Sequence, residues 1–278
     1  MASRRVPTTI SYLDACDGKP VFYGRQRALD NLPLKAYPVM VEDLRGCDEA
    51  PRLDREGFAL VQHRTAVADF FDSAARAIYR RELETFVQAL TGARRAVAFT
   101  NGVIRRSERS PHFRQHGTTV LGRFAHSDFS PNPAGSRTWA EGLLSPEDRQ
   151  ALATRRFAIY NVWRVLSPPP QDTPLALCDA RTVAPEDEVW SDCVVDEPGR
   201  PEIRFENTIF RYRAAHRWCY FSNMTRDEAL IFKGFDSDRR RATGVPHVAF
   251  DDPSCAGDAP PRESIDDRVV AIFDECPC

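Results

Sequence analysis

The sequence predicts a mainly β fold with flanking helices, an antiparallel sandwich or barrel, on three observations. From Phe157 onward, short apolar runs of strand length follow one another at 157–166, 175–178, 189–195, 209–212, 217–221, 229–235, 245–250 and 269–273. Clusters of Pro and Gly separate these runs at intervals of about ten residues, the punctuation of antiparallel β-structure. Helical periodicity is clear in only two segments, both earlier in the chain.

Residues 1–57 are rich in Pro, Asp and Arg, with short apolar pieces at 21–23 and 37–41, and are expected as an extended arm draped over a core spanning 58–273. Residues 58–63 read as a short strand. A helix is expected near 65–91, where Val67, Phe70, Phe71, Ala74, Ala75, Ile78, Tyr79, Phe86, Val87 and Leu90 recur at helical spacing and Gly92 supplies the stop. Strands are expected at 96–100 and at 118–124, the latter ending at His126-Ser127-Asp128. A second helix is expected near 145–155, because Ser145 can cap it, Pro146 suits the first helical position, and Glu147 and Asp148 complement the N-terminal dipole. Ser167-Pro168-Pro169-Pro170 is expected as a turn. With no internal repeat, 278 residues are expected to form a single domain.

Composition narrows the function. The 38 basic and 40 acidic residues leave a formal charge of -2, so neither a nucleic acid nor an anionic membrane is an expected partner. No apolar run follows Arg4-Arg5, and no stretch of membrane-spanning length occurs, which makes a cytoplasmic enzyme the expectation. The eight cysteines include no Cys-x-x-Cys pair, which favours reduced thiols over a disulfide framework or zinc ribbon. Cys276-Pro277-Cys278 is expected as a frayed tail rather than a soft-metal site.

A mononuclear iron site that activates dioxygen needs two imidazoles and one carboxylate on one side of the metal. His126-x-Asp128 offers two ligands from one strand end, since residues i and i+2 point the same way. For the third ligand His247, within Gly-Val-Pro-His-Val-Ala-Phe (244–250), is preferred to His216, which reads as a turn residue between strands. The preference rests on Arg262, fifteen residues beyond His247, with Ser264 two further on. A guanidinium fork and a hydroxyl on one strand face can hold a carboxylate, as 2-oxoglutarate requires. Arg268 is the alternative anchor but lacks the paired hydroxyl. Trp163 and Arg164 read equally well as substrate-facing residues or as a core tryptophan beside a surface ion pair. His63, His112 and His116 are expected to be structural or superficial, and Asp251-Asp252-Pro253 a turn.

Six stretches carry a more specific signal: Arg-Phe-Ala-His-Ser-Asp (123–128), Tyr-Asn-Val-Trp-Arg (160–164), Leu-Ala-Leu-Cys-Asp (175–179), Trp-Cys-Tyr-Phe (218–221), Asp-Glu-Ala-Leu-Ile-Phe-Lys (227–233) and Pro-His-Val-Ala-Phe (246–250). Over roughly residues 58–273 the chain resembles the hydroxylase/desaturase family of fungi and actinobacteria that includes gibberellin-desaturase-like proteins and the cephamycin hydroxylase component. The resemblance implies a double-stranded β-helix, the jelly-roll or cupin-like core. It implies iron(II) on His126, Asp128 and His247, 2-oxoglutarate on Arg262 and Ser264, and dioxygen as oxidant. The implied substrate is a small secondary metabolite or amino-acid derivative, from whose carbon hydrogen is abstracted to give hydroxylation, desaturation or oxidative cyclisation. The alternative is an accessory jelly-roll protein supporting a partner biosynthetic enzyme. A homodimer or such a partner enzyme is the expected company.

Overall fold

Two β-sheets account for most of the computed structural model, which describes residues 4–275 apart from 25, 99–101, 116–118, 143, 197, 198 and 200. The larger sheet has nine strands in the order β1 (Arg5–Leu13), β3 (Leu34–Asp43), β12 (Trp218–Tyr220), β9 (Leu175–Cys178), β14 (His247–Ala249), β7 (His126–Ser127), β11 (Ile203–Phe210), β10 (Glu188–Val195) and β2 (Val21–Tyr23). The smaller sheet runs β4 (Phe58–Gln62), β13 (Glu228–Asp236), β8 (Phe157–Val165), β15 (Glu263–Ile272) and β5 (Arg95–Ala98), with β6 (Val103–Arg106) also on β15. The larger sheet curls: the N–H of Ala125, just before β7, donates to Ser11 O at 2.9 Å, bringing β1 round to the strands beyond β14.

Every residue of β8 is buried, because both faces of its sheet are covered. Its outward residues Ala158, Tyr160 and Val162 pack with Tyr79, Leu83 and Val87 of helix α1 (Ser73–Thr91). Its inward residues divide into three groups. Phe157 and Ile159 meet Ala140 and Leu152 of helices α2 (Pro133–Glu141) and α3 (Pro146–Thr154). Trp163 and Val165 meet Leu175 and Leu177 of the larger sheet. Between them lies polar Asn161, opposite Arg268 on β15. Each fully buried Val, Ile or Phe contributes about 1.5–3 kcal/mol, so the apolar ends hold a polar centre in place.

The eight runs from 157 to 273 each overlap an observed strand, although β11 and β15 begin well before the runs expected at 209–212 and 269–273, and Ser145 caps α3 through its Oγ, which accepts from Asp148 N at 3.1 Å. Three expectations are corrected. Residues 1–57 are not an irregular arm: β1 and β3 form a paired ribbon in the larger sheet. In β1, Val6, Ile10 and Tyr12 are buried and alternate with polar or imino neighbours, a period-two pattern masked by its exposed opposite face. The helix expected at 65–91 starts only at Ser73, because Asp72 accepts from Ala74 N at 2.9 Å as its N-cap, while Gly92 ends it with φ 72° as expected. Val67 and Phe70 are buried in the turns before it. Of the strand expected at 118–124, residues 119–124 form only isolated bridges, at Thr119 and Phe124, and residue 118 lies outside the described residues. Helix α2 was not anticipated, although Asn132, whose side chain accepts from Ala134 N at 3.1 Å, and Pro133 form a start signal.

Candidate active site

His126 and His247 are direct partners in the antiparallel pairing of β7 with β14, and their ring centroids lie 4.4 Å apart. Nδ1 of His126 is 2.8 Å from Phe124 O, and Nδ1 of His247 is 3.2 Å from Val245 O. A carbonyl can only accept, so in each ring Nδ1 carries the proton and Nε2 presents a lone pair. Asp128, just beyond β7, places Oδ1 at 3.9 Å and 3.8 Å from the two Nε2 atoms. Among the described residues these three form the one group of His, Cys, Asp or Glu donors suited to a single ion, with all donor atoms within 4.8 Å of one another.

The electrostatics suit metal ligands. Burial, and then the neighbouring His247, pushes the His126 pKa down to about 3, and burial lowers that of His247. Both rings are therefore neutral near pH 7, as ligands must be. Burial opposes ionisation of Asp128, but Arg268 first and then the two histidines outweigh it and hold the carboxyl well below its usual range. Two neutral nitrogens and one carboxylate oxygen converging on one point fit iron(II).

Arg262, just before β15, and the alternate residues Ser264, Asp266 and Arg268 along it face the space between the sheets. A small cavity lies there, lined by His126, His247, Arg105, Trp163, Phe232 and Arg262 among others. Arg262 is buried; its Nη1 donates to Thr173 O at 2.6 Å, and its guanidinium carbon sits 5.4 Å from the centre of the Trp163 ring. Arg262 Nε and Ser264 Oγ, both buried, have no partner among the described residues. A buried donor without an acceptor costs about 1–3 kcal/mol. Arg262 lines the cavity and Ser264 lies two residues on along the same face, so the two unpartnered donors suit an anionic ligand.

The structure separates the remaining candidates. Trp163 lines the cavity but Arg164, the next residue on β8, points to the opposite face and does not reach it. There it donates to Tyr79 Oη at 3.1 Å and His63 O at 2.8 Å. Arg268 is not a free anchor: its Nη2 lies 2.6 Å from Asp128 Oδ2 and 2.9 Å from Asp266 Oδ2. His216 stands apart from His126, Asp128 and His247, with Nδ1 3.1 Å from Tyr12 Oη and Nε2 3.2 Å from Asp187 Oδ2. His63 is 2.6 Å from Arg164 Nη2, His112 is exposed beside Gln115, and Asp251 and Asp252 lie in the segment after β14. His116 and residues 276–278 lie outside the described residues. The sequence reading missed Arg105, Gly122, Asn161 and Asp266; the available signal was polar residues at inward positions of otherwise apolar strands.

A protein-family profile described as Oxidoreductase/YMDC permease-like domain matches residues 10–272. No described helix is long and apolar enough to cross a membrane. The chain is 31% identical to the hydroxylase/desaturase CTB9 of Cercospora beticola over 281 residues, covering 95% of this chain and 85% of that protein. It is 33% identical over 200 residues to the Fe(II)/2-oxoglutarate-dependent dioxygenase nvfI of Aspergillus novofumigatus, covering 72% of this chain and 68% of the other. Among solved structures, the iron and alpha-ketoglutarate-dependent endoperoxidase NvfI matches with a TM-score of 0.84 at 25% identity, covering 99% of this chain and 100% of that one. The jelly-roll core expected from the sequence is the fold found. The chain belongs to the family of iron(II)- and 2-oxoglutarate-dependent oxygenases that contains these hydroxylase/desaturase proteins.

Proposed function

We propose that this enzyme oxidises a carbon centre of a small secondary metabolite or amino-acid-derived compound, with His126, Asp128 and His247 holding iron(II) and with Arg262 and Ser264 holding the distal carboxylate of 2-oxoglutarate. The observation that carries the reading is the convergence of three donor atoms within 4.8 Å beside a cavity lined by Arg262, whose Nε is unpartnered, as is the Oγ of Ser264 two residues on along the same face. Bound iron(II) with 2-oxoglutarate and dioxygen supplies the oxidising power to remove hydrogen from carbon, with succinate and carbon dioxide as coproducts.

The chain's own residues orient and exclude. Phe124 O and Val245 O fix the histidine tautomers, Arg268 and Asn161 fix Asp128, and Trp163 forms a platform for the Arg262 guanidinium. Phe232, its ring centroid 4.8 Å from that of His247, keeps water from one side of the ligand cluster. Hydroxylation, desaturation and oxidative cyclisation all begin with the same hydrogen removal, so the choice among them lies in how the substrate is held. The reading includes a cytoplasmic enzyme acting as a homodimer or beside a biosynthetic partner, which sedimentation of the purified chain would detect.

The test is anaerobic titration of iron(II) and 2-oxoglutarate into the apoprotein, followed by the visible charge-transfer absorption of the chelate, in wild type, His247→Ala and Arg262→Ala. The wild type should give the band and both variants should weaken or abolish it. Iron binding without a band would overturn the 2-oxoglutarate assignment. A band without uncoupled succinate on admitting oxygen would favour the accessory role.

A further inference from the structure

The sequence points to one cation for the cosubstrate, but the cavity contains two. Arg105 on β6 is the antiparallel partner of Ser264 on β15. Directly paired residues share a sheet face, with Cβ atoms about 5 Å apart, and Arg262 lies two residues from Ser264 on that same face. Arg105 and Arg262 both line the cavity, and Ser264 stands between them on the same face as the pairing partner of Arg105.

Among the described residues the two guanidinium groups bond only to neutral oxygens: Arg262 Nη1 to Thr173 O, and Arg105 Nη1 to Thr119 Oγ1 at 3.1 Å and Val120 O at 2.7 Å. Nearby carboxylates are engaged elsewhere. Asp266 pairs with Arg268, and Asp172 accepts from the Arg262 backbone N–H and the Ser107 hydroxyl. Burial, followed by the charge of Arg105, pushes the pKa of Arg262 down to about 9, and burial lowers that of Arg105. Asp266 and Asp128 offset part of the charge of Arg105, and Asp172 and Glu108 part of that of Arg262, but among the described residues none of them bonds to either guanidinium, so a ligand anion would lower the cost of holding the two charges together.

We propose that Arg105 is a second anion-binding residue of this pocket, acting with Arg262 and Ser264 on one carboxylate, and that the arginine pair makes the site selective for a 2-oxo acid bearing a second carboxylate. The inference rests on the cosubstrate reading above and assigns its selectivity to a residue outside the Arg-x-Ser pattern. A singly charged 2-oxo acid of the same length leaves both guanidinium groups facing the cavity without a ligand anion.

The experiment is anaerobic titration of the iron(II)-loaded protein with 2-oxoglutarate and, separately, with 2-oxopentanoate, in which a methyl replaces the distal carboxylate. Chelate absorption reports binding without turnover. Arg105→Gln should weaken 2-oxoglutarate binding about tenfold or more while leaving 2-oxopentanoate and iron(II) affinities within about twofold, so that the preference between the two acids narrows. Arg105→Lys, which retains the charge but not the fork, should fall between, and it carries the same test if the neutral variant does not fold. An unchanged preference, or an equal loss for both acids, overturns the role of Arg105 while leaving the cosubstrate reading intact. A wild type that binds iron(II) but gives no band with 2-oxoglutarate overturns both.

Discussion

Arg268 Nη2 lies 2.6 Å from Oδ2 of Asp128, and Asn161 Nδ2 lies 2.6 Å from the same atom, while Oδ1 is the oxygen turned to His126 and His247. One oxygen is tied to the small sheet and the other is left for the metal, so the carboxylate is arranged as a single-oxygen ligand. Arg268→Gln should therefore weaken iron(II) binding about tenfold to a hundredfold. It should also destabilise the metal-free protein by about 3 kcal/mol, because Asp128 and Asp266 lose a shared buried partner. Anaerobic calorimetric titration reads the affinity; a value matching wild type would remove Arg268 as the orienting group.

Gly122 is set against His126. A Cβ at this position would fall 2.5 Å from His126 Cε1, and the Gly122 carbonyl accepts from Ala249 N at 2.8 Å, so the backbone cannot easily withdraw. Gly122→Ala should displace the imidazole, costing about 1–3 kcal/mol in overpacking and lowering iron(II) affinity about tenfold, since ligand placement tolerates little error. Unaltered iron(II) affinity in a folded variant would refute this account.

What the sequence disclosed follows from what hydropathy encodes. His126 and Asp128 were legible because two residues apart on a strand means one face, and His247 because Arg262 and Ser264 follow it. Trp163 and Arg164 could not be told apart because all nine residues of β8 are buried, so alternation in polarity does not reveal which face meets the metal. The apolar run expected for β15 began only at Val269, since Glu263, Ser264, Asp266, Asp267 and Arg268 lack apolar character although Arg262 and Ser264 were placed on one strand face; they are largely buried because they pair with one another and with their neighbours. The β1 and β3 ribbon escaped notice for the opposite reason. Much of β3 is exposed, so it lacks the apolar density that marks the core strands.

Glu188, at the start of β10, offers a test in pH. Burial, helped by the neighbouring Asp187 charge, pushes its pKa up to about 7. An unfolded glutamate titrates near 4.3, so between about pH 4.5 and 7 the folded chain holds a proton that the unfolded chain has released. Stability from this group is therefore lost as pH rises through that window and stays lost above it. Glu188→Gln should raise the melting temperature at pH 8 by about 2 °C, corresponding to about 1 kcal/mol after allowance for partial solvation, and change it little at pH 4.5. An equal gain at both pH values would assign the effect to something other than ionisation.

The two histidines that compete for the third ligand position have opposite surroundings, and metal-linked stability separates them. A ligand that binds only the folded chain stabilises it by about 2.7 kcal/mol at a hundred times its dissociation constant, which for a chain of this size is a rise of roughly 5 °C. His247→Gln removes a donor from the cluster and should abolish most of the iron(II)-induced rise. His216→Gln breaks contacts with Tyr12 and Asp187 in a packed aromatic group, so the metal-free protein should melt lower while the iron(II)-induced rise persists. Calorimetric scans with and without iron(II) under argon read both quantities. The reverse pattern, with the rise lost in the His216 variant and kept in the His247 variant, would mean that the metal sits among residues other than His126, Asp128 and His247.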